Sequence, residues 1–180
     1  ENLQNILDKM DAEDSISDAV IKLPEGSVSI GKDVLSSILE TAEEKSITVK
    51  LSDAKDALNE EQQKIVGDRP VYDITMLKGS EKVTSFNGRT ITVSIPYELK
   101  ENESPDNIVV YYVKDDGTIE KMNCVFKDGK VSFETNHLSY FAISYEEPEP
   151  VPEEPAGSDS DNTIYYAIAV ILVLIIIVAA

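Results

Sequence analysis

The chain has 180 residues, with 34 acidic side chains against 16 basic ones and a net charge of −18. A phosphate backbone is held by a basic stripe, so nucleic acid is excluded as a partner, and close contact with an anionic membrane surface is disfavoured by the same repulsion. One cysteine, Cys124, and one histidine, His137, leave no internal disulfide and no cluster of the usual metal-binding side chains, so neither a metal nor another cofactor is expected.

At the N-terminus, Leu3, Ile6, Leu7 and Met10 recur at helical spacing and predict a helix within residues 1–14, read as the remnant of a preceding region. No initiator Met, basic stretch or apolar signal core opens the chain, which reads as the C-terminal piece of a longer protein, with removal of a signal peptide as the alternative. Residues 15–69 are expected to be the mixed part of the globular domain. There "AVIKLP" and "SVSI" read as short strands. "GKDVLSSILETAEEK" reads as a helix with Val34, Leu35, Ile38 and Ala42 on one face and Asp33 in the first turn, where the helix dipole favours an acid. "SITVKLSD" follows as a strand, and "AKDALNEEQQKIVG" as a short helix or ordered loop ending at Gly67.

Residues 70–145 carry the clearest pattern. Asn87-Gly88, Asp116-Gly117 and Asp128-Gly129 each separate two runs rich in strand-forming residues, and such pairs suit hairpins because both central residues tolerate positive φ. Ile91, Val93 and Ile95 alternate with Thr90, Thr92 and Ser94; Val131 and Phe133 alternate with Ser132 and Glu134; Phe141, Ile143 and Tyr145 continue the pattern. Period-two alternation with hairpin turns predicts antiparallel strands with one buried face, paired as two sheets. The expected class is therefore α+β: a C-terminal antiparallel β-sandwich over 70–145, preceded by a small β-β-α-β region.

Residues 146–162, "EEPEPVPEEPAGSDSDN", hold four of the eight prolines and seven acids without a base. Such a segment cannot bury enough apolar surface to fold and predicts a disordered linker, extended at about 3.1 Å per residue. Without it the first 145 residues still carry 27 acids against 16 bases. The seventeen residues 164–180 contain no charge. As a helix they would span roughly 26 Å, slightly less than a bilayer core of about 30 Å. Residues 163–180 are thus expected to be a single transmembrane helix, interrupted before the basic end that such helices usually carry. Tyr165 and Tyr166 suit the interfacial aromatic belt, and Ile164, Leu172, Leu174 and Ile176 the lipid-facing run. A buried core helix and a cleaved lipid-anchor or sorting signal are the alternatives, though no sorting motif is visible.

Candidate chemistry is sparse. The carboxylate pairs Asp115/Asp116 and Glu43/Glu44 read as solvated turn and helix residues. Asp11, Glu13 and Asp14 lack the spaced loop, glycine and terminal Glu of a calcium site. The sequon Asn102-Glu103-Ser104 is followed by Pro105. With no Trp in the chain, Tyr97 is the one candidate for an exposed sugar-binding aromatic.

The sharpest constellation is "FETNHLSYFAISY", residues 133–145, with His137-Leu138-Ser139 ahead of Phe141-Ala142-Ile143. It resembles the autoproteolytic β-sandwiches, including the GAIN domain with its receptor proteolysis site. The resemblance implies cleavage between Leu138 and Ser139: His137 would take the Ser139 hydroxyl proton, and Ser139 would attack the Leu138 carbonyl to give an ester that water opens. The chain departs from that family at Thr135, where the family has Cys, and lacks its second Cys and its Trp residues. The plain alternative is that His137 and Ser139 make turn hydrogen bonds at the head of a strand.

A broader likeness covers about residues 15–180. "RPVYDITM", "ITVSIPYEL", "PDNIVVYYVKDDGTIEKM" and "GKVSFETNHLSYFAISY" look like the C-terminal module of adhesin-like or S-layer-type surface proteins of gut bacteria and methanogenic archaea. That resemblance implies a cell-surface location, a body outside the membrane, the lipid bilayer as one partner, and a host or neighbouring surface protein or glycan as another. The expected function is a non-enzymatic spacer or adhesion domain at the C-terminal end of a larger surface protein. The alternatives are self-cleavage at Leu138/Ser139 and a carbohydrate-binding appendage of a surface enzyme.

Overall fold

Alternation in the strands places their apolar residues on one side, and two sheets meet over those sides. The computed structural model describes residues 3–13, 15–41, 46–84 and 86–146. The acidic linker beyond Glu146 and the apolar run with Ile164, Tyr165, Tyr166, Leu172, Leu174 and Ile176 lie outside the described residues, as do Asp14 and the Glu43/Glu44 pair.

In chain order the elements are α1 (Leu3–Ala12), β1 (Asp18–Leu23), β2 (Gly26–Gly31), α2 (Lys32–Thr41), β3 (Ile47–Asp53), a 3-10 turn (Lys55–Ala57), α3 (Glu60–Val66) and β4 (Val71–Lys78). There follow β5 (Glu81–Lys82), β6 (Ile91–Pro96), β7 (Ile108–Val113), β8 (Ile119–Met122), β9 (Cys124–Lys127), β10 (Lys130–Thr135) and β11 (Tyr140–Tyr145). The first sheet has the order β1-β2-β6-β10-β9 and the second β3-β4-β11-β7-β8, with β5 paired to β4. All pairings are antiparallel.

One core fills the space between the sheets. Val28, Ile30, Ile91, Val93, Ile95, Val131 and Phe133 contribute from the first sheet, and Ile74, Met76, Val110, Phe141 and Ile143 from the second. Phe133 and Phe141 meet across it, ring centroids 5.1 Å apart. α1 and α2 close one end: Leu7, Met10, Val34, Leu35 and Ile38 belong to the same core. The N-terminal helix is therefore built into this body, and its spacing of apolar residues marks the face that is buried.

The sequence places the sandwich in residues 70–145. In the structure both sheets also draw on the earlier strands: β1 and β2 pair onto β6 through β2, and β3 pairs with β4 along seven residues. The β-β-α-β order of residues 18–53 is present but split between the sheets, with β1 and β2 at one edge of the first and β3 at one edge of the second.

Two of the three predicted glycine turns close hairpins. Asp128 and Gly129 take φ of 51° and 71° and join β9 to β10 in a two-residue turn. Gly117, at φ 82°, joins β7 to β8 in a longer loop in which the Asp116 carboxylate accepts from the Thr118 amide and hydroxyl at 2.9 and 2.7 Å. The third expectation fails. Asn87 and Gly88 do adopt the positive φ of 53° and 80°, yet the strands on either side do not pair. β5 lies on β4 in one sheet and β6 on β2 and β10 in the other, so this turn carries the chain across the sandwich.

β11 departs from simple alternation. Phe141 and Ile143 face the main core, while Ala142 is fully buried on the opposite side. The 3-10 turn and α3 cover that side, and Ala54, Leu58, Val66, Val71, Val113 and Ala142 form a second, smaller core. α3 is held there by a reciprocal cap between Asn59 and Gln62, and by the Gln62 amide donating to the Lys114 carbonyl at 2.9 Å.

Candidate functional site

Four places deserve a chemical reading, and the first is the corner before β11. Thr135 Oγ1 accepts from the His137 amide and donates to the His137 carbonyl, both at 3.0 Å, which turns the chain out of β10. The exposed His137 ring then lies flat on Tyr112, centroids 5.0 Å apart and planes within 1°. Leu138 packs against the main core, and the Ser139 carbonyl accepts from the Ile74 amide at 3.1 Å. Among the described residues no hydrogen bond joins His137 to the Ser139 hydroxyl, and neither residue has a positive φ. The three residues of the expected cleavage motif are thus adjacent in the turn, with the imidazole occupied by an aromatic face and Thr135, at the departure from the family pattern, supplying the turn hydrogen bonds.

Tyr97 follows β6. It is half-buried against the core rather than displayed, and its hydroxyl donates to the Glu103 carboxylate at 2.9 Å. Burial first, and then the bond and charge of Glu103, push its pKa up to about 12. The same carboxylate accepts from the Lys100 amide at 3.0 Å, so Tyr97 serves to fasten the loop after β6.

The outer face of the first sheet is open. Its cross-strand rows read Lys22-Ser27-Ser94-Ser132-Val125 and Val20-Ser29-Thr92-Glu134, one residue per strand. Ser94 and Ser132 share a hydrogen bond of 2.8 Å, and Val20 and Val125 are 59% and 63% exposed. A groove of about 610 Å³ runs beside β9 and β10, lined in part by Thr92, Asn123, Ser132 and Glu134. Cys124 borders it, but the thiol donates to the Ile108 carbonyl at 3.2 Å and burial raises its pKa.

The last site is where the chain leaves the body. The Glu146 carboxylate accepts from the Tyr111 hydroxyl and pairs with the Lys121 ammonium, while its amide donates to the Asn107 carbonyl at 3.0 Å. Arg69 sits 5.5 Å over the Tyr111 ring, a cation–π contact. The bonds from Lys121 and Tyr111 hold the Glu146 carboxyl below its ordinary range, and burial together with the Glu146 bond raises Tyr111. Sequence reasoning assigned Glu146 to the linker and missed this cluster. A signal was present: the Asp116-Gly117 hairpin sets Tyr111 directly opposite Lys121.

Among the described residues no group of three or more His, Cys, Asp or Glu side chains could hold a metal ion, and no helix is long and apolar enough to cross a membrane. No family model matches the chain, and no solved structure matches it.

Proposed function

We propose that this chain is a membrane-anchored cell-surface module, a non-enzymatic spacer or adhesion domain at the C-terminal end of a larger surface protein. The observation that carries the reading is the order of parts. The last strand of a packed two-sheet body ends at Tyr145, and the sequence passes at once into an acidic, proline-rich segment and then into seventeen uncharged residues. A segment of that charge and proline content is expected not to pack, while the apolar run approaches the length that a bilayer core demands. The bilayer would take residues 163–180, and the body would stand outside, available to a host or neighbouring surface protein or to a glycan. The hydroxyl-bearing outer face of the first sheet supports a role in contact, because its side chains are only half-buried where those behind the second sheet are buried.

Protease treatment of intact cells tests this. The body is expected to be removed from the surface before lysis; a body protected until lysis overturns the reading. As a non-enzymatic domain the purified chain is expected to run as one full-length band on a denaturing gel. Two fragments split between Leu138 and Ser139, abolished by Ser139→Ala, would replace this reading with autoproteolysis.

A further inference from the structure

We propose that the body is a load-bearing link, pulled in line through β11 and locked at its exit by Glu146; this rests on the tethered-module reading above. The registers place the two ends of the body. Asp18 pairs with Gly31, Ser29 with Thr92, and Thr92 with Glu134, so the start of β1, the end of β2 and the end of β10 lie at one end of the first sheet. α1 and α2 pack at that end. Lys32 pairs with Asp11, Arg89 bonds Asp33 at 2.9 Å, and Asn87 donates to the Ser37 hydroxyl at 3.1 Å. β11 starts there too, four residues after β10, and runs away to Glu146 at the far end of the second sheet. The chain thus comes in at one end and goes out at the other.

β11 is also a central strand. All six of its residues pair with β7, and three pair with β4. Two further bonds secure it: the Ile74 amide donates to the Ser139 carbonyl and the Ile143 amide to the Pro70 carbonyl, both at 3.1 Å. Ladder bonds in an antiparallel pair lie perpendicular to the strands. A pull along β11 therefore loads all of them together in shear, whereas a pull on an edge strand from the side opens them one by one. At the loaded end Glu146 spreads the force sideways, through its amide to Asn107 before β7, through Tyr111 on β7, and through Lys121 on β8. Arg69 steadies the Tyr111 ring from the α3–β4 connection.

The test is force spectroscopy on the full chain in detergent, with one peptide handle ahead of Glu1 and a second inserted at Ser158. Glu146→Ala is expected to shorten the folded lifetime under constant load roughly fivefold, while its denaturant midpoint without load stays close to that of the parent. Glu81→Ala, which removes the Lys78–Glu81 pair from the β4–β5 hairpin, is expected to leave the loaded lifetime unchanged. An unchanged lifetime for Glu146→Ala overturns the proposal. So does an equal loss for Glu81→Ala, or a loss matched in full by the denaturant midpoint. None of these results bears on where the protein resides, and a failed surface-protease test would not alter the loaded lifetimes.

Discussion

The two sheets turn opposite kinds of outer face to their surroundings. Behind the first sheet lie Ser27, Ser29, Thr92, Ser94 and Ser132, all only half-buried. Behind the second, Val71, Val113 and Ala142 are fully buried under the 3-10 turn and α3. Both sheets share the same inner core, so the difference lies in the outward half of each alternation. Hydroxyls tolerate water and leave a face open, whereas Ala and Val there call for a cover. In the tethered reading, the first sheet offers the contact surface and the second holds the loaded exit strand.

The sharpest way to break this contrast is to place the same charge on each outer face. Ala142→Asp buries an unpaired carboxylate beneath α3 and is expected to cost about 3–5 kcal/mol. Ser29→Asp, half-exposed on the open face, is expected to stay within about 1 kcal/mol. Urea midpoints at constant slope measure both; equal losses would show that the open face is in fact covered. Next in size, Leu58→Ala empties part of the small outer core, where Leu58 is 4% exposed. A loss of about 2–3 kcal/mol is expected, with faster amide exchange in α3 and little change in β6. Removing the reciprocal cap by Asn59→Ala is a smaller intervention, expected to cost about 1 kcal/mol and to loosen α3 alone.

That contrast also marks what the sequence could reveal. Ile91, Val93, Ile95, Val131 and Phe133 alternate with polar neighbours, and all five are buried as expected. The Asp116-Gly117 and Asp128-Gly129 hairpins were legible because their partners are close in sequence. Asn87-Gly88 has the same turn chemistry, but which sheet a strand joins is decided by distant pairing, so local residues could not show the crossing. For the same reason β2 gave no sign that it joins β6, more than sixty residues away, nor β3 that it belongs to the opposite sheet. In β11 the alternation rule hid the second burial, since Ala142 and Ser144 look neutral beside Phe141 and Ile143. At the candidate sites the limit was similar. The His137 motif was visible, but its stacking on Tyr112 depends on β7 lying beside β11. Glu146 reads as one acid among seven until its partners on β7 and β8 are in place.

The smallest expected effect concerns that acid and the loaded exit strand. The Glu146 carboxyl is held below its ordinary range by Lys121 and Tyr111, so the folded state binds its proton less readily than the unfolded chain does. Its contribution is therefore complete above the unfolded value, near pH 4.3, and is lost as pH falls through the lower folded value. Exposure of both partners, 56% for the Lys121 side chain and 42% for Glu146, keeps the contribution below about 1 kcal/mol. The parent and Glu146→Gln are expected to differ slightly at pH 6 and to converge as the pH falls through the lowered folded value. Measured under load, the same convergence should be larger than in denaturant, because the pull acts at the end that this carboxylate fastens. A difference between parent and variant that grows on acidification would mean that Glu146 keeps its proton in the folded protein, and the exit lock could not then depend on its charge.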